Sequence, residues 1–284
     1  MNREDLLLTA IKASIRAGLA TLEVYQSDLQ VEVKADQSPL TVADTRSHAI
    51  IVRHLAGTRI PILSEEGKTI PYAERRSWPR LWIVDPLDGT KEFIKGLEEF
   101  TINIALVEDQ RPTLGAIYVP VKKVLYFGRI EDGSYRLDDG QALADLARVD
   151  AAGHARGAIE QLKARATRLP DDLFAHTPFV IVGSRSHATP ELHAYVDQKR
   201  HALGEVAFVS AGSSLKYCLV AEGRADVYPR LAPTMEWDTA AGQVIAEAAG
   251  ATVIRHDTGG PMTYNKEDLL NPWHVVTRKV LSNE

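Results

Sequence analysis

Cysteine is almost missing from this chain: Cys218 stands alone among 284 residues. One thiol makes no intrachain disulfide and no cysteine cluster for zinc, so the chain suits a reducing compartment, and Cys218 reads as a small buried hydrophobe. Long apolar runs are missing too; none approaches the roughly 20 residues that cross a bilayer. The opening MNREDLLLTAIKASIRAG lacks the charge order of a secretory leader, with Glu4 and Asp5 where positive charge belongs and Lys12 and Arg16 breaking the apolar residues. Basic excess is also lacking. Lys and Arg number 33 against 38 Asp and Glu, leaving a net charge of -5 and a pI near 6.0. That balance argues against a general binder of nucleic acid or anionic membrane, which needs basic surface to displace counterions. There is no internal repeat and no low-complexity segment. The expectation is a cytoplasmic protein without a transmembrane segment, with peripheral contact at an inner membrane left open.

What is present is a globular composition, 45% hydrophobic and 25% charged. Leu7, Ile11, Ile15 and Leu22 recur at near-helical spacing over residues 3 to about 25, and Thr41 caps a second helix that runs to Gly57. Strand-like runs follow at RIPILS, RLWIVD, FTINIALV and LGAIYVPVKKVLYFG, the last two separated by a turn at EDQRP, and EDGSYRL adds a hairpin. From Asp138 to Pro178 the pattern weakens into Ala, Arg, Asp and Gly around one helical stretch, ARGAIEQLKARATRL. This segment reads as a domain junction or surface insertion. Beyond it, strand and helix alternate, the α/β signature. Two sheets with helices between and around them are expected. The division expected is a metal-binding half, residues 1–175, with an insertion near 138–177, and a substrate-binding half, residues 176–284.

Three acidic features carry the chemistry. WIVDPLDGT places Asp85 at the exit of a buried run and Asp88 three residues on. Read alone, it is either a turn, for which Pro and Asp-Gly are well suited, or a site where both carboxylates and the Leu87 carbonyl converge on a hard cation. In the second case the Gly89 and Thr90 amides are left to face a phosphate. ILSEEG sets Glu65 at another strand exit, where a solvated surface acid is the plainer account. Asp238 of EWDTAAGQVIAEAAG opens a helix, and an N-cap role explains it equally well. Together they gain weight, because all three lie where loops meet a rigid scaffold.

In order and wording, ILSEEG, WIVDPLDGT and WDTAAGQVIAEAAG resemble the three metal-binding signatures of the inositol monophosphatase superfamily, the lithium-sensitive, magnesium-dependent phosphatases. The resemblance spans most of the chain and implies an αβαβα sandwich. Finer wording, in KADQSPLTVAD, DPLDGTKEFI, GSRSH, GSSLKYCLVAEGRADVYPR and PTMEWDTAAG, is similar to the bacterial 3'(2'),5'-bisphosphate nucleotidases of that superfamily. That branch hydrolyses adenosine 3',5'-bisphosphate, a by-product of sulfate-donor chemistry, to AMP and phosphate.

The resemblance implies that Glu65, Asp85 and the Leu87 carbonyl hold one Mg²⁺, and Asp85, Asp88 and Asp238 another, with two or three ions per site and inhibition by Li⁺. One ion would lower the pKa of a water and the other would stabilise the leaving oxygen. Thr90, bonded to Asp44, would orient the water together with Glu65. Gly89 and Thr90 amides would receive the phosphate, and Arg185, Ser186, His187, Ser213, Ser214, Lys216, Arg230 and Asp238 would contact the nucleotide. Arg230 bears on substrate choice. Inositol monophosphatases place there a glutamate that accepts from sugar hydroxyls, whereas a guanidinium suits a second phosphate. The implied partner is a small nucleotide, the implied oligomer a monomer or homodimer. The competing activities are inositol monophosphatase and fructose-1,6-bisphosphatase, since the metal apparatus is shared. A non-catalytic nucleotide sensor is disfavoured, because it has no use for a water-positioning pair. Trp237 reads as packing that steadies Asp238.

Overall fold

The computed structural model describes residues 1–26, 31–33, 39–148, 155–171, 176–184 and 189–278. Helix α1 (Arg3–Leu22) starts at a reciprocal cap, in which the Asn2 side chain accepts from Asp5 N while Asn2 N donates to the Asp5 carboxylate. Strands β1 (Val31–Val33) and β2 (Pro39–Thr41) form a small ribbon leading into α2 (Val42–Ala56), capped by Thr41 as expected. Then come β3 (Ile62–Ser64), α3 (Tyr72–Arg75), β4 (Arg80–Asp88), α4 (Thr90–Ile94), β5 (Thr101–Glu108), β6 (Arg111–Val119), β7 (Val124–Arg129) and β8 (Gly133–Leu137). After α5 (Gly140–Arg148), α6 (Ala155–Arg165) and β9 (Thr167–Arg168), the chain builds β10 (Phe179–Ser184), α7 (Pro190–Leu203), β11 (Val206–Ala211), α8 (Leu215–Glu222) and β12 (Val227–Arg230). It ends with α9 (Glu236–Ala248), β13 (Thr252–Arg255) and β14 (His274–Thr277).

Among the described residues, seven strands form one sheet in the order β3-β4-β5-β6-β7-β8-β9, parallel only at β3 and β4. Five form a second, mixed sheet in the order β11-β10-β12-β14-β13. Strand β4 is apolar on both faces because both are covered. Trp82 and Val84 pack under Leu7, Ile11 and Ile15 of α1 and Ile51 of α2. Leu81 and Ile83 face the opposite way, onto Tyr217, Cys218 and Ala221 of α8 and Ala240, Ala241 and Ile245 of α9. The same core continues to Val182, Tyr228 and Val276 of the second sheet, whose outer face is covered by Leu192 and Val196 of α7. The layers are therefore helix, sheet, helix, sheet, helix. Gly242 lets α9 lie directly against α8, since a Cβ there would stand 2.5 Å from the Tyr217 ring.

Three departures from the sequence expectation bear on the packing of the sheets. The run LGAIYVPVKKVLYFG is two strands, β6 and β7, because Lys123, at φ +52°, turns back on Pro120. The last strand, β14, was not expected; it is short, and its apolar residues are Val275 and Val276. Within the stretch after Asp138, Ala142 and Leu143 of α5 and Ile159 and Leu162 of α6 are buried against α1, and β9 extends the large sheet at its edge. The few apolar residues of that segment are thus spent on one packed face, which explains its weak periodicity.

Candidate active site

The site begins with a β-bulge. Strands β4 and β5 pair in step up to Asp85↔Asn103, and the next pair is Asp88↔Thr101. Three steps along β4 oppose two along β5. Residues three apart in a regular strand point to opposite faces; the extra residue returns Asp88 to the face of Asp85. Pro86, which has no N–H to leave unpaired, sits in the irregularity, and its carbonyl accepts from Ser47 Oγ at 2.5 Å. The chain does not reverse at Pro86, as a turn would require. It is redirected at Gly89, whose φ of +92° no L side chain adopts without strain, and Thr90 then opens α4.

Each acid has one oxygen anchored. Asp88 Oδ2 accepts from Ser214 N and Ser214 Oγ, both at 2.7 Å, and from Asn103 Nδ2 at 3.1 Å. Asp238 is not the N-cap of α9 that the sequence suggested: Met235 holds that position, and Asp238, in the first turn, accepts from Met235 N through Oδ2 at 2.8 Å while also belonging to the cluster. Asp85 Oδ1 accepts from Leu87 N at 3.0 Å. Asp85, Asp88 and Asp238 each bring one carboxylate oxygen to within 4.8 Å of the other two. Glu65 follows β3, its N–H donating to Val84 O at 3.1 Å, and its side chain lines the pocket in front of them.

The electrostatics are those of crowded, desolvated anions. Burial, then the charges of Glu65, Asp88 and Asp238, holds Asp85 well above the usual carboxylate range. Burial raises Asp88 as well, opposed by its bonds from Ser214 and by the Lys216 charge. Asp238 is pushed up to about 7 by burial and by Asp88. Three converging carboxylate oxygens form a hard, oxygen-only donor set, which fits a divalent cation such as Mg²⁺ or Ca²⁺ and not a soft metal.

Beside the cluster, Thr90 Oγ1 lies 3.2 Å from Asp44 Oδ1 and 3.3 Å from Leu87 O. Asp44 is 1% exposed, and its other oxygen accepts from Thr41 N at 2.7 Å and Thr41 Oγ1 at 2.6 Å. A pocket of about 280 Å³ opens over this floor, walled by Gly212, Ser213 and Lys216 on one side and Tyr228, Arg230 and Thr234 on another. Lys216 Nζ donates to the Ser213 and Ala211 carbonyls, and burial brings its pKa down to about 8, with Asp88 opposing. Ser213 Oγ donates to Glu99 O at 2.7 Å. Ser214 departs from its expected place against the nucleotide. It is 1% exposed with its hydroxyl on Asp88, so it supports a cluster acid. Arg185, Ser186 and His187 lie outside the described residues.

Sequence reasoning passed over two supports. Asn103, the polar residue in FTINIALV, stands behind Asp88 and also donates to Ser214 Oγ at 2.6 Å; an amide in a fully buried run was the available signal. Arg75 is the second. Buried at 3% exposure, it donates to Asn265 Oδ1, Lys266 O and Glu267 O. Asn265 N and Lys266 N in turn donate to the buried Glu236 carboxylate. This chain of bonds ties the segment after Glu65 to the first turn of α9, two residues from Asp238.

The chain belongs to the inositol monophosphatase family, whose model matches residues 2–281. Among individual relatives, it is 43% identical over 267 residues to the 3'(2'),5'-bisphosphate nucleotidase CysQ of Salmonella typhimurium, covering 92% of this chain and 95% of that one. To the protein of the same name from Haemophilus influenzae it is 32% identical over 281 residues, covering 96% and 93%. The crystal structure of CysQ from Bacteroides thetaiotaomicron superposes with a TM-score of 0.86 at 48% identity, covering 99% of both chains. The Thermotoga maritima IMPase shares the fold, with a TM-score of 0.68 at 21% identity.

Proposed function

We propose that this chain is a Mg²⁺-dependent phosphomonoesterase that hydrolyses adenosine 3',5'-bisphosphate to AMP and phosphate, and acts in the same way on its sulfated relative, in the service of sulfate assimilation in the cytoplasm. The observation that carries the reading is the juxtaposition of the Asp85, Asp88 and Asp238 oxygens with a pocket walled by Lys216 and Arg230. An anionic floor calls for cations, and cationic walls call for an anion above it. The 43% identity to a nucleotidase over nearly the whole chain supports the substrate.

Mg²⁺ would be held by Glu65, Asp85, Leu87 O, Asp88 and Asp238, and when bound supplies Lewis acidity to a water and to the leaving oxygen. The chain's own groups do the rest. Thr90 Oγ1 donates its proton toward Asp44 Oδ1, leaving its lone pairs to accept from the attacking water. Thr41 fixes the other Asp44 oxygen, so the pair keeps its orientation. The open turn at Gly89 presents backbone amides to the phosphoryl oxygens. Arg230 receives the second phosphate, which an inositol monophosphate lacks. The residues up to 175 would chiefly hold metal, and those from 176 chiefly read substrate. Phosphate release from adenosine 3',5'-bisphosphate, followed with and without Mg²⁺, tests this. Mg²⁺-dependent turnover that falls at least about tenfold in Arg230→Gln is expected, and turnover indifferent to Mg²⁺ would overturn the reading.

A further inference from the structure

The bulge that brings Asp85 and Asp88 to one face leaves part of its own backbone out of the sheet. Pairing passes from Asp85↔Asn103 to Asp88↔Thr101, so Pro86 and Leu87 have no register partner on β5. Side chains satisfy them instead. The Pro86 carbonyl accepts from Ser47 Oγ at 2.5 Å, and Leu87 N donates to Asp85 Oδ1 at 3.0 Å. That carbonyl and that N–H belong to a single peptide unit, which is planar, so fixing the direction of one fixes the direction of the other. Ser47 and Asp85 therefore grip opposite ends of the same rigid plane.

Ser47 is fully buried, in a stripe of α2 that continues as Ile51 and Leu55. Alanine would fill that position and is the better helix former. A helical serine commonly turns its hydroxyl onto a carbonyl of its own preceding turn; this one reaches a residue 39 positions away. Its neighbours on α2 reach the same region. Asp44, three residues earlier, bonds Thr90, and His48 Nδ1 lies 3.0 Å from Ser64 Oγ, next to Glu65. The N-terminal part of α2 thus holds the segments that carry Thr90, Asp85 and Glu65 against one rigid element. Resting on the Mg²⁺-dependent reading above, we propose that Ser47 is a positioning residue: by tying the Pro86 carbonyl to α2, it keeps the Asp85 carboxylate aimed at the cation.

The test compares wild type, Ser47→Ala, Ser47→Cys and Ser134→Ala. Ser134 is an equally buried serine whose Oγ donates to Ile245 O at 2.8 Å, about two turns along α9 from Asp238. Its variant therefore loses the same kind of bond away from the carboxylates. In EDTA, hydrogen exchange at the Leu87 amide, relative to the amides of β5, should quicken about tenfold in Ser47→Ala and not in Ser134→Ala. Calorimetric Mg²⁺ affinity should fall about 10–100-fold in Ser47→Ala and hold in Ser134→Ala, although both lower the Tm. Ser47→Cys, which keeps the shape and a weak donor, should fall between wild type and Ser47→Ala. Wild-type Mg²⁺ affinity in Ser47→Ala, or equal losses in the two alanine variants, overturns the Ser47 assignment alone. A wild type that binds no Mg²⁺ overturns the reading it rests on.

Discussion

Removing divalent cation should make the folded state sensitive to pH in the direction set by its crowded acids. Asp238 has a folded pKa near 7 against an ordinary 3.8. A carboxylate raised in this way binds its proton more tightly when folded, so it stabilises the fold at low pH, and that stability is lost as pH rises from about 4 through 7. Between pH 5 and pH 8 the loss from Asp238 alone is about 2–3 kcal/mol as an upper figure, because the pocket mouth admits some solvent. For a chain of this size it corresponds to a Tm fall on the order of 5 °C. Asp85 and Asp88 are shifted the same way and add to it. Thermal or urea unfolding in EDTA at the two pH values, repeated with saturating Mg²⁺, reads the effect. Mg²⁺ should stabilise more at pH 8 than at pH 5, because the cation replaces the protons. Asp238→Asn, which keeps an acceptor for Met235 N, should lose part of the pH slope in EDTA. An EDTA-treated protein more stable at pH 8 than at pH 5, or the same slope with and without Mg²⁺, would refute the reasoning.

Asp88→Asn keeps an oxygen for Ser214 and Asn103 and removes one repelling charge, so it should fold at wild-type Tm without metal yet lose more than about 100-fold in kcat/KM; near-normal turnover at saturating Mg²⁺ would contradict it. Thr90→Val should lower kcat by about 10²–10⁴-fold with little change in KM, and Thr90→Ser should recover most of it, as steady-state assays would show. Arg75→Met strips four carbonyl-type acceptors, Ile70 O among them, of their donor and should destabilise by about 3 kcal/mol or more in urea unfolding. It should also weaken Mg²⁺ binding, read by the Mg²⁺-dependent Tm shift.

The layered fold was legible because its signals are local. Thr41 caps α2, β4 is continuously apolar from Leu81 to Val84, and Ala240, Ala241, Val244 and Ile245 mark the buried side of α9. The pairing of Asp85 with Asp88 was legible only as an alternative to a turn. What decides it is the register against β5, a relation between strands that spacing along one strand does not contain. Ser214 was misplaced for a related reason: its position in GSSLK follows the pocket-lining Ser213, but the start of α8 rotates it onto Asp88. Arg75 and Glu236 were invisible as a pair, since their link runs through Asn265 and Lys266, some 190 residues from Arg75.

The central claim is that a carboxylate floor and a cationic wall together select a nucleoside bisphosphate. It is tested most directly by phosphate release with Mg²⁺ from adenosine 3',5'-bisphosphate, inositol 1-phosphate and fructose 1,6-bisphosphate, compared side by side as kcat/KM. The account predicts that the nucleotide is preferred over both sugar phosphates. A preference for either sugar phosphate would contradict it.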